Sequence, residues 1–380
     1  MTTSKPQFGG EKVKLGDVLA ETFSGEWGNQ EGDRLIPVLR TSNFNEDRSF
    51  DYSTPALRSI SEKKIESKRL FRGDVVLEKS GGTPKRPVGI IAYYDSDNLA
   101  LCSNFNQVLR FDGSRIDPRF AFHQLRWLWK QNAFGRFTRK TTGLQNLQMK
   151  KFVDLGMRLP KIPQQQRIAK QLDYVGRMIS GIELQIEKLD QLVKSRFVEM
   201  FGDPCLTDRS LLPQKPLHSF CELKIGPFGS LLHKEDYVSG GFPVVNPSHI
   251  VDGCIRTDSD LTINAAKYRE MESYQLFKGD VVLGRRGEIG RCAVVDEEGL
   301  LCGTGSMILR PEPSLCRSDY LQRVISFPSF AAALEKEAVG VTMKNLNVKI
   351  IGSAVVSLPP LSLQEEFADF VAQVDKSGFA

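Results

Sequence analysis

FRGDVVLEKSGG, residues 71–82, returns as FKGDVVLGRRGE at residues 277–288. Each copy runs Phe, a basic residue, Gly and Asp, then three apolar residues, then a tail carrying glycine and basic residues. The match extends well beyond this phrase. LCSNFNQVLR at 101–110 pairs with LCGTGSMILR at 301–310, offset by 200 positions rather than 206, so a six-residue difference falls in the loop between. Asn146-Leu147 pairs with Asn345-Leu346, and Leu159-Pro160 with Leu358-Pro359, both offset by 199. Constant order at near-constant spacing marks an internal duplication. A chain of 380 residues is long enough for two domains, each with its own core.

Each half reads as strand-rich before it becomes helical. The runs 75–77, 88–93 and 107–111 are β-branched or aromatic and bounded by Gly, Asp, Asn and Ser, which predicts strands. Asp117-Pro118 supplies an N-cap and a first-turn proline for a helix through about Gln131, with Phe122, Leu125 and Leu128 as core candidates. The second half repeats this helix from about Ser318 up to Pro328. Trp127 and Trp129 are assigned to the core.

The segment joining the halves differs from both. From Gln164 to Phe201 the apolar residues Ile168, Leu172, Val175, Ile179, Ile182, Ile186, Leu189 and Val193 recur at alternating spacings of four and three. That is a heptad seam, which predicts a coiled-coil helix ended by Gly202-Asp203-Pro204. Such a helix extends roughly 55 Å, longer than one turn of B-DNA, and can act as a ruler. After Leu358-Pro359 the pattern restarts, with Phe367, Val371 and Val374 aligned to Ile168, Leu172 and Val175. The sequence stops at Ala380, which corresponds to Gly181. The second helix is then truncated by about 20 residues relative to the first, and the seam calls for cover by self-association or by another chain.

Composition narrows the function. Hydrophobic and charged fractions of 41% and 26% are those of a soluble globular chain, with no membrane-length apolar run and no signal-peptide core at the N-terminus, which points to the cytoplasm. The seven cysteines and four histidines are dispersed without metal-ligand spacing, so the cysteines read as small buried hydrophobes and no metal is expected. Residues 1–160 hold 26 Lys+Arg against 18 Asp+Glu, whereas residues 203–380 hold 18 against 23. On charge the first half suits a polyanion and the second does not.

Catalytic signatures are lacking: no phosphate loop, nucleophile elbow, zinc-protease motif or strand-linked G-x-G-x-x-G is present, and no cofactor is implied. Glu62 and Glu66 have the Glu-x-Lys spacing of some nucleases, but SEKKIESKR reads as a solvated helical charge run. The candidates for function are binding residues. Lys79, Lys85 and Arg86 in the first glycine-containing loop, and Arg285, Arg286 and Arg291 in the second, combine flexible backbone with cations; a polar hairpin turn and a nucleic-acid contact both fit them. A second group follows the helix at 118–131. Residues 118–153 contain no acidic residue, and Arg136, Arg139, Lys140, Thr141, Thr142, Gln145 and Asn146 offer cations, hydroxyls and amides, with Lys344 and Asn345 in the matching place of the second half.

The paired F-[RK]-G-D-V-V-L strands, the segments TTGLQNL and VTMKNL, and the helix entries LPKIPQQQRIA and LPPLSLQEEFA resemble the specificity subunits of Type I restriction-modification enzymes. The resemblance covers essentially the whole chain. It implies an α/β (α+β) fold with target recognition domains at 1–160 and 203–357, a conserved coiled-coil spacer helix at 161–202 and the start of a second helix at 358–380. It also implies a non-catalytic DNA-recognition subunit that directs modification (methyltransferase) and restriction (translocase/endonuclease) subunits to a bipartite site on double-stranded DNA. A different class of function, a coiled-coil structural or protein-interaction module without DNA readout, would make the heptad helix itself the active surface.

Overall fold

The structure is a computed structural model that describes residues 9–83, 86–141, 144–205, 212–228, 231–340 and 345–378. The chain divides into two compact units, Met1–Glu183 and Leu184–Ala380. Each is built around the strand of the repeated phrase.

In the N-terminal unit, Val75–Glu78 lies inside an antiparallel sheet in the order Leu19–Ser24, Asn106–Phe111, Val75–Glu78, Ile91–Tyr93. In the C-terminal unit, Val281–Gly284 lies inside the sheet Cys221–Ile225, Ser306–Pro311, Val281–Gly284, Cys292–Val294. The registers correspond: Val75 faces Leu109 and Val281 faces Leu309. Three successive apolar residues are needed because both faces of the sheet are covered. Val75 and Leu77 enter one core with Leu109 and Phe120, while Val76 enters another with Ala92 and Val108. In the second unit Val281 and Leu283 share a core with Leu309 and Tyr320, and Val282 faces Ala293 and Ile308. A further sheet in each unit contains one parallel pair, Leu35–Leu39 with Leu101–Cys102 and Phe242–Val245 with Leu300–Cys302.

The Phe-basic-Gly-Asp prefix is structural. Gly73 and Gly279 take φ of 100° and 94°, a left-handed conformation that favours glycine. The Asp closes the turn by accepting from the Phe N–H, at 2.8 Å for Phe71 and Asp74 and 2.8 Å for Phe277 and Asp280. Each Asp is also clasped by an Arg of the adjacent strand: Arg110 Nε and Nη2 both lie 2.9 Å from Asp74, and Arg310 Nε and Nη2 lie 2.7 and 2.8 Å from Asp280. Phe71 and Phe277 cover these guanidinium groups, with centroids 4.5 and 4.6 Å away.

Helices fall close to their expected places. Asp117 caps Pro118–Lys130 through Phe120 N at 2.8 Å, and Phe122 and Leu125 are buried. Two expectations change. Residues 88–90 are not strand, which is confined to Ile91–Tyr93 because Gly89 turns the backbone at φ 106°. Trp127 is exposed rather than buried, while Trp129 is half-buried and donates to Val88 O at 3.2 Å. In the second unit Ser318–Ser326 is followed directly by another helix, Pro328–Glu337, which the proline opens.

The central helix is one unbroken element, Ile162–Phe201, ended by Gly202 at φ 77°. The division between the two units falls within it. Its entry is fastened by Gln165, which is buried. Gln165 Nε2 donates to Pro160 O (2.8 Å) and Arg115 O (3.3 Å), while Oε1 accepts from Asp117 N (2.8 Å). Gln364 repeats this at the C-terminal helix, Leu361–Gly378, with Pro359 O (2.8 Å), Leu315 O (3.0 Å) and Arg317 N (2.8 Å). Of the heptad seam, Ile168 packs on the first core, and Leu189 and Val193 on the second together with Phe367 and Val374. Leu172, Val175, Ile179, Ile182 and Ile186 are 45% to 54% exposed.

Among the described residues, no helix is long and apolar enough to cross a membrane, and no group of three potential metal ligands occurs. Five cysteines are buried, Cys205 is half-buried and Cys254 is exposed.

Candidate nucleic-acid interface

Two sequence-distant loops meet in each unit. In the first, the strand that leaves the central sheet continues as Ser80–Gly81, and these residues pair with one edge of a hairpin made by Thr138–Thr141 and Leu144–Leu147. Asn146 lies opposite Ser80 and also opposite Arg139. The join is tied by Leu147 N donating to Lys79 O at 2.8 Å. In the second unit the equivalent donor, Leu346 N, reaches Arg285 O at 2.9 Å, and Asn345 forms single bridges to Arg286 and Val339. The glycine-containing loop and the Asn-Leu segment, read from sequence as separate candidates, are therefore adjacent backbones in both halves.

Burial then separates the candidate side chains. Gln145 is buried and its Oε1 accepts from Val88 N at 3.2 Å, so it holds the hairpin against the preceding loop and does not face outward. Arg285 is only 5% exposed, with Nε 3.4 Å from Thr304 O, and burial lowers its affinity for its proton. Lys79, at the corresponding place, is half-buried, reaches Ser24 Oγ at 2.5 Å and is likewise held below the usual lysine range by burial. Arg86 spans a turn closed on Thr83 and ion-pairs at 2.9 Å with Glu78, a carboxyl that burial raises above its ordinary range. Arg291 is tied to Glu288 and reaches Pro247 O at 3.3 Å.

The remaining cations face solvent. Arg139 is exposed and has no acidic partner among the described residues; the same holds for Arg136, which lies over Phe137 at 4.7 Å, and for Arg286. Asn146 is half-buried, and Asn345 keeps a buried Oδ1 with no hydrogen-bond partner among the described residues. Lys140 and Thr141 belong to the hairpin strand Thr138–Thr141, and their side chains lie outside the described residues. Lys85, Thr142 and Lys344 lie outside the described residues. Arg119, on the same acid-free segment, turns to Asp173 on the central helix at 2.8 Å, beside His123 at 2.7 Å from the same carboxylate.

Some participants escaped the sequence reading. Ser80 is invisible as a site residue until the sheet pairs it with Asn146. Gln165 and Gln364 were legible in principle, since each follows its Leu-Pro proline by five residues in both halves. The arrangement offers exposed guanidinium groups and an amide on an ordered ribbon, suited to phosphate oxygens and base edges.

Comparison with known proteins agrees with this architecture. Residues 9–191 and 214–379 each match the family described as Type I restriction modification DNA specificity domain. A putative type I restriction enzyme MjaX specificity subunit of Methanocaldococcus jannaschii is 23% identical over 193 residues, covering 50% of this chain and 45% of that subunit. This chain therefore matches less than half the length of that relative. Among solved structures, the Type-I restriction-modification system S subunit from M. genitalium superposes with a TM-score of 0.63 at 15% identity, covering 99% of this chain and 92% of the other. A chain from a structure on complex assembly and conformational transition of the type I R-M system gives 0.52 at 18% identity, with coverage of 99% and 92%. At these identities the superpositions speak for the fold, and the family match speaks for descent: with a specificity domain in each half, the chain belongs to the Type I restriction modification DNA specificity family.

Proposed function

We propose that the chain is a non-catalytic, sequence-specific DNA-binding subunit that acts in the cytoplasm. It directs modification (methyltransferase) and restriction (translocase/endonuclease) subunits to a bipartite site, each unit reading one part. The observation that carries this reading is the repeated join, Leu147 N to Lys79 O and Leu346 N to Arg285 O. One scaffold presents two loops side by side in both units, while the exposed residues on them differ. Two copies that share a frame and differ at the rim suit two different stretches of double-stranded DNA.

In this reading Arg136, Arg139 and Asn146 contact DNA in the first unit and Arg286 and Asn345 in the second; Lys85, Lys140, Thr141, Thr142 and Lys344 are assigned to the same contacts on sequence alone. Lys79, Gln145 and Arg285 position the loops, and Arg86 and Arg291 brace them. The functional divisions remain 1–160 and 203–357 for recognition, with 161–202 and 358–380 as helical connectors.

The test is methylation mapping with the assembled complex. Substituting Arg139 relaxes one half-site and substituting Arg286 relaxes the other, whereas loss of a phosphate contact weakens all sequences alike. Unchanged methylation after replacing the exposed residues of both units would sink the assignment. The exposed residues from Leu172 to Ile186 favour an additional role for the central helix, pairing with a helix of another chain or a second copy. If that were its sole activity, DNA affinity would be absent at low salt; DNA reading instead predicts affinity that falls steeply as salt rises.

A further inference from the structure

The outward face of the hairpin carries a residue that neither folding nor charge explains. Side chains two apart on a strand share a face, and the register sets Thr141 opposite Leu144 and Arg139 opposite Asn146. Leu144 and Asn146 thus share one face with Arg139, while Gln145 and Leu147 turn inward and are buried. Leu144 is half exposed, at 50%, and belongs to no apolar cluster of its unit among the described residues. It stands on an ordered ribbon, fixed by the Ser80–Gly81 strand, the Lys79 carbonyl and the inward Gln145. Counting back from the paired Asn-Leu segments, the second half carries Met343 at this place, again apolar and unbranched at Cβ.

A two-stranded ribbon fits the major groove, where the 5-methyl group of thymine is the apolar feature of the base edges, and at Leu144 the hairpin is two-stranded, because Ser80–Gly81 pairs only with Gln145 and Asn146. Arg139 and Asn146 on the same face suit hydrogen bonds to purines. A leucine among them adds readout of a kind that neither can supply.

We propose that Leu144 is a specificity-determining residue that contacts a thymine 5-methyl group in the half-site read by the N-terminal unit. This rests on the DNA-reading function proposed above. The methyl contact makes that half-site sensitive to one thymine at a position where thymine and uracil pair identically.

The test uses the chain assembled with its modification subunits. Once the methylated site is mapped, each thymine on either strand is replaced in turn by deoxyuridine and binding is measured. One replacement, in the half-site that Arg139→Ala relaxes, is expected to weaken binding by about three- to fivefold, the effect of one buried methyl group. Leu144→Ala is expected to weaken binding to unmodified DNA by a similar factor and to abolish the response at that position alone. Leu144→Gln, similar in size and polar, should do the same while thermal stability is retained. The contact is overturned if that half-site contains no thymine, if no deoxyuridine replacement there matters, or if both variants keep the response. Absence of any sequence-specific binding overturns the functional reading itself, and this contact with it.

Discussion

In the N-terminal unit the cationic rim is a sheet: Ser80–Gly81, Leu144–Leu147 and Thr138–Thr141 form three paired strands. In the C-terminal unit the same junction shows, among the described residues, two isolated bridges at Asn345 beside the bond from Leu346 N to Arg285 O. Beneath the rim the units coincide. The four-stranded sheets have the same order, the turn Asp is clasped by the same Arg, and the helix entry is fastened by the same glutamine. The difference teaches where each half is constrained. The Asp–Arg clasps and the helix-entry glutamines have few satisfying geometries and were kept, whereas the loop residues diverged, including buried Glu78 and Gln145, which have Gly284 and Lys344 in their places.

The largest effects should come from the shared frame. Asp280→Ala leaves Arg310 without its clasping carboxylate and should cost about 3 to 5 kcal/mol, as should Asp74→Ala for Arg110. Hydrogen exchange should place each loss in its own unit; a loss spread equally over both would mean that the units do not respond independently. Gln165→Leu strands the Asp117 N–H and two carbonyls, and Gln364→Leu strands their counterparts. Each should cost about 2 to 3 kcal/mol, read by thermal unfolding. The rim comes next. Arg139→Ala and Arg286→Ala should leave stability unchanged and each remove about 1 to 3 kcal/mol of base discrimination, in different half-sites, when methylated sites are sequenced. Relaxation of the same half-site by both would break the one-unit, one-half-site correspondence.

The smallest effect is a pH response confined to one unit. Burial pushes His123 below its ordinary range, more than the adjoining Asp173 raises it. Its folded pKa is lower than its unfolded one, so its contribution is present above the ordinary histidine range and is lost as pH falls through the depressed one. The N-terminal unit should therefore loosen at its contact with the central helix on mild acidification, and His123→Gln should flatten that slope in exchange experiments. The second unit has Arg323 and Ala372 at the matching places and should show no such response.

The frame was legible in the sequence because it is written twice. Successive apolar residues in DVVL announce a sheet buried on both faces, and the heptad spacing announced the helix that runs Ile162–Phe201. The site was legible as a set of residues but not as a surface. Lys79 and Leu147 are brought together by strand pairing across 68 positions, which neither local segment encodes. Arg285 and Arg286 look equivalent on the page, yet one points in and the other out, because the strand alternation that separates them is set by the neighbouring strand. Trp127 misled for a similar reason: its helix is apolar on a side wider than the core it meets.

The two glutamines have a consequence for how such a chain can change over time. Gln165 and Gln364 clip a recognition unit to a helix through three hydrogen bonds to main-chain atoms, whatever side chains the unit carries elsewhere. These glutamine contacts do not depend on the unit's side chains, unlike the packing of Ile168 and the Arg119–Asp173 pair in the first unit. On the proposed function, a gene segment crossed over near the Leu-Pro sequences would meet the same backbone contacts in either half, so that a replacement unit has only the side-chain contacts with the helix left to match.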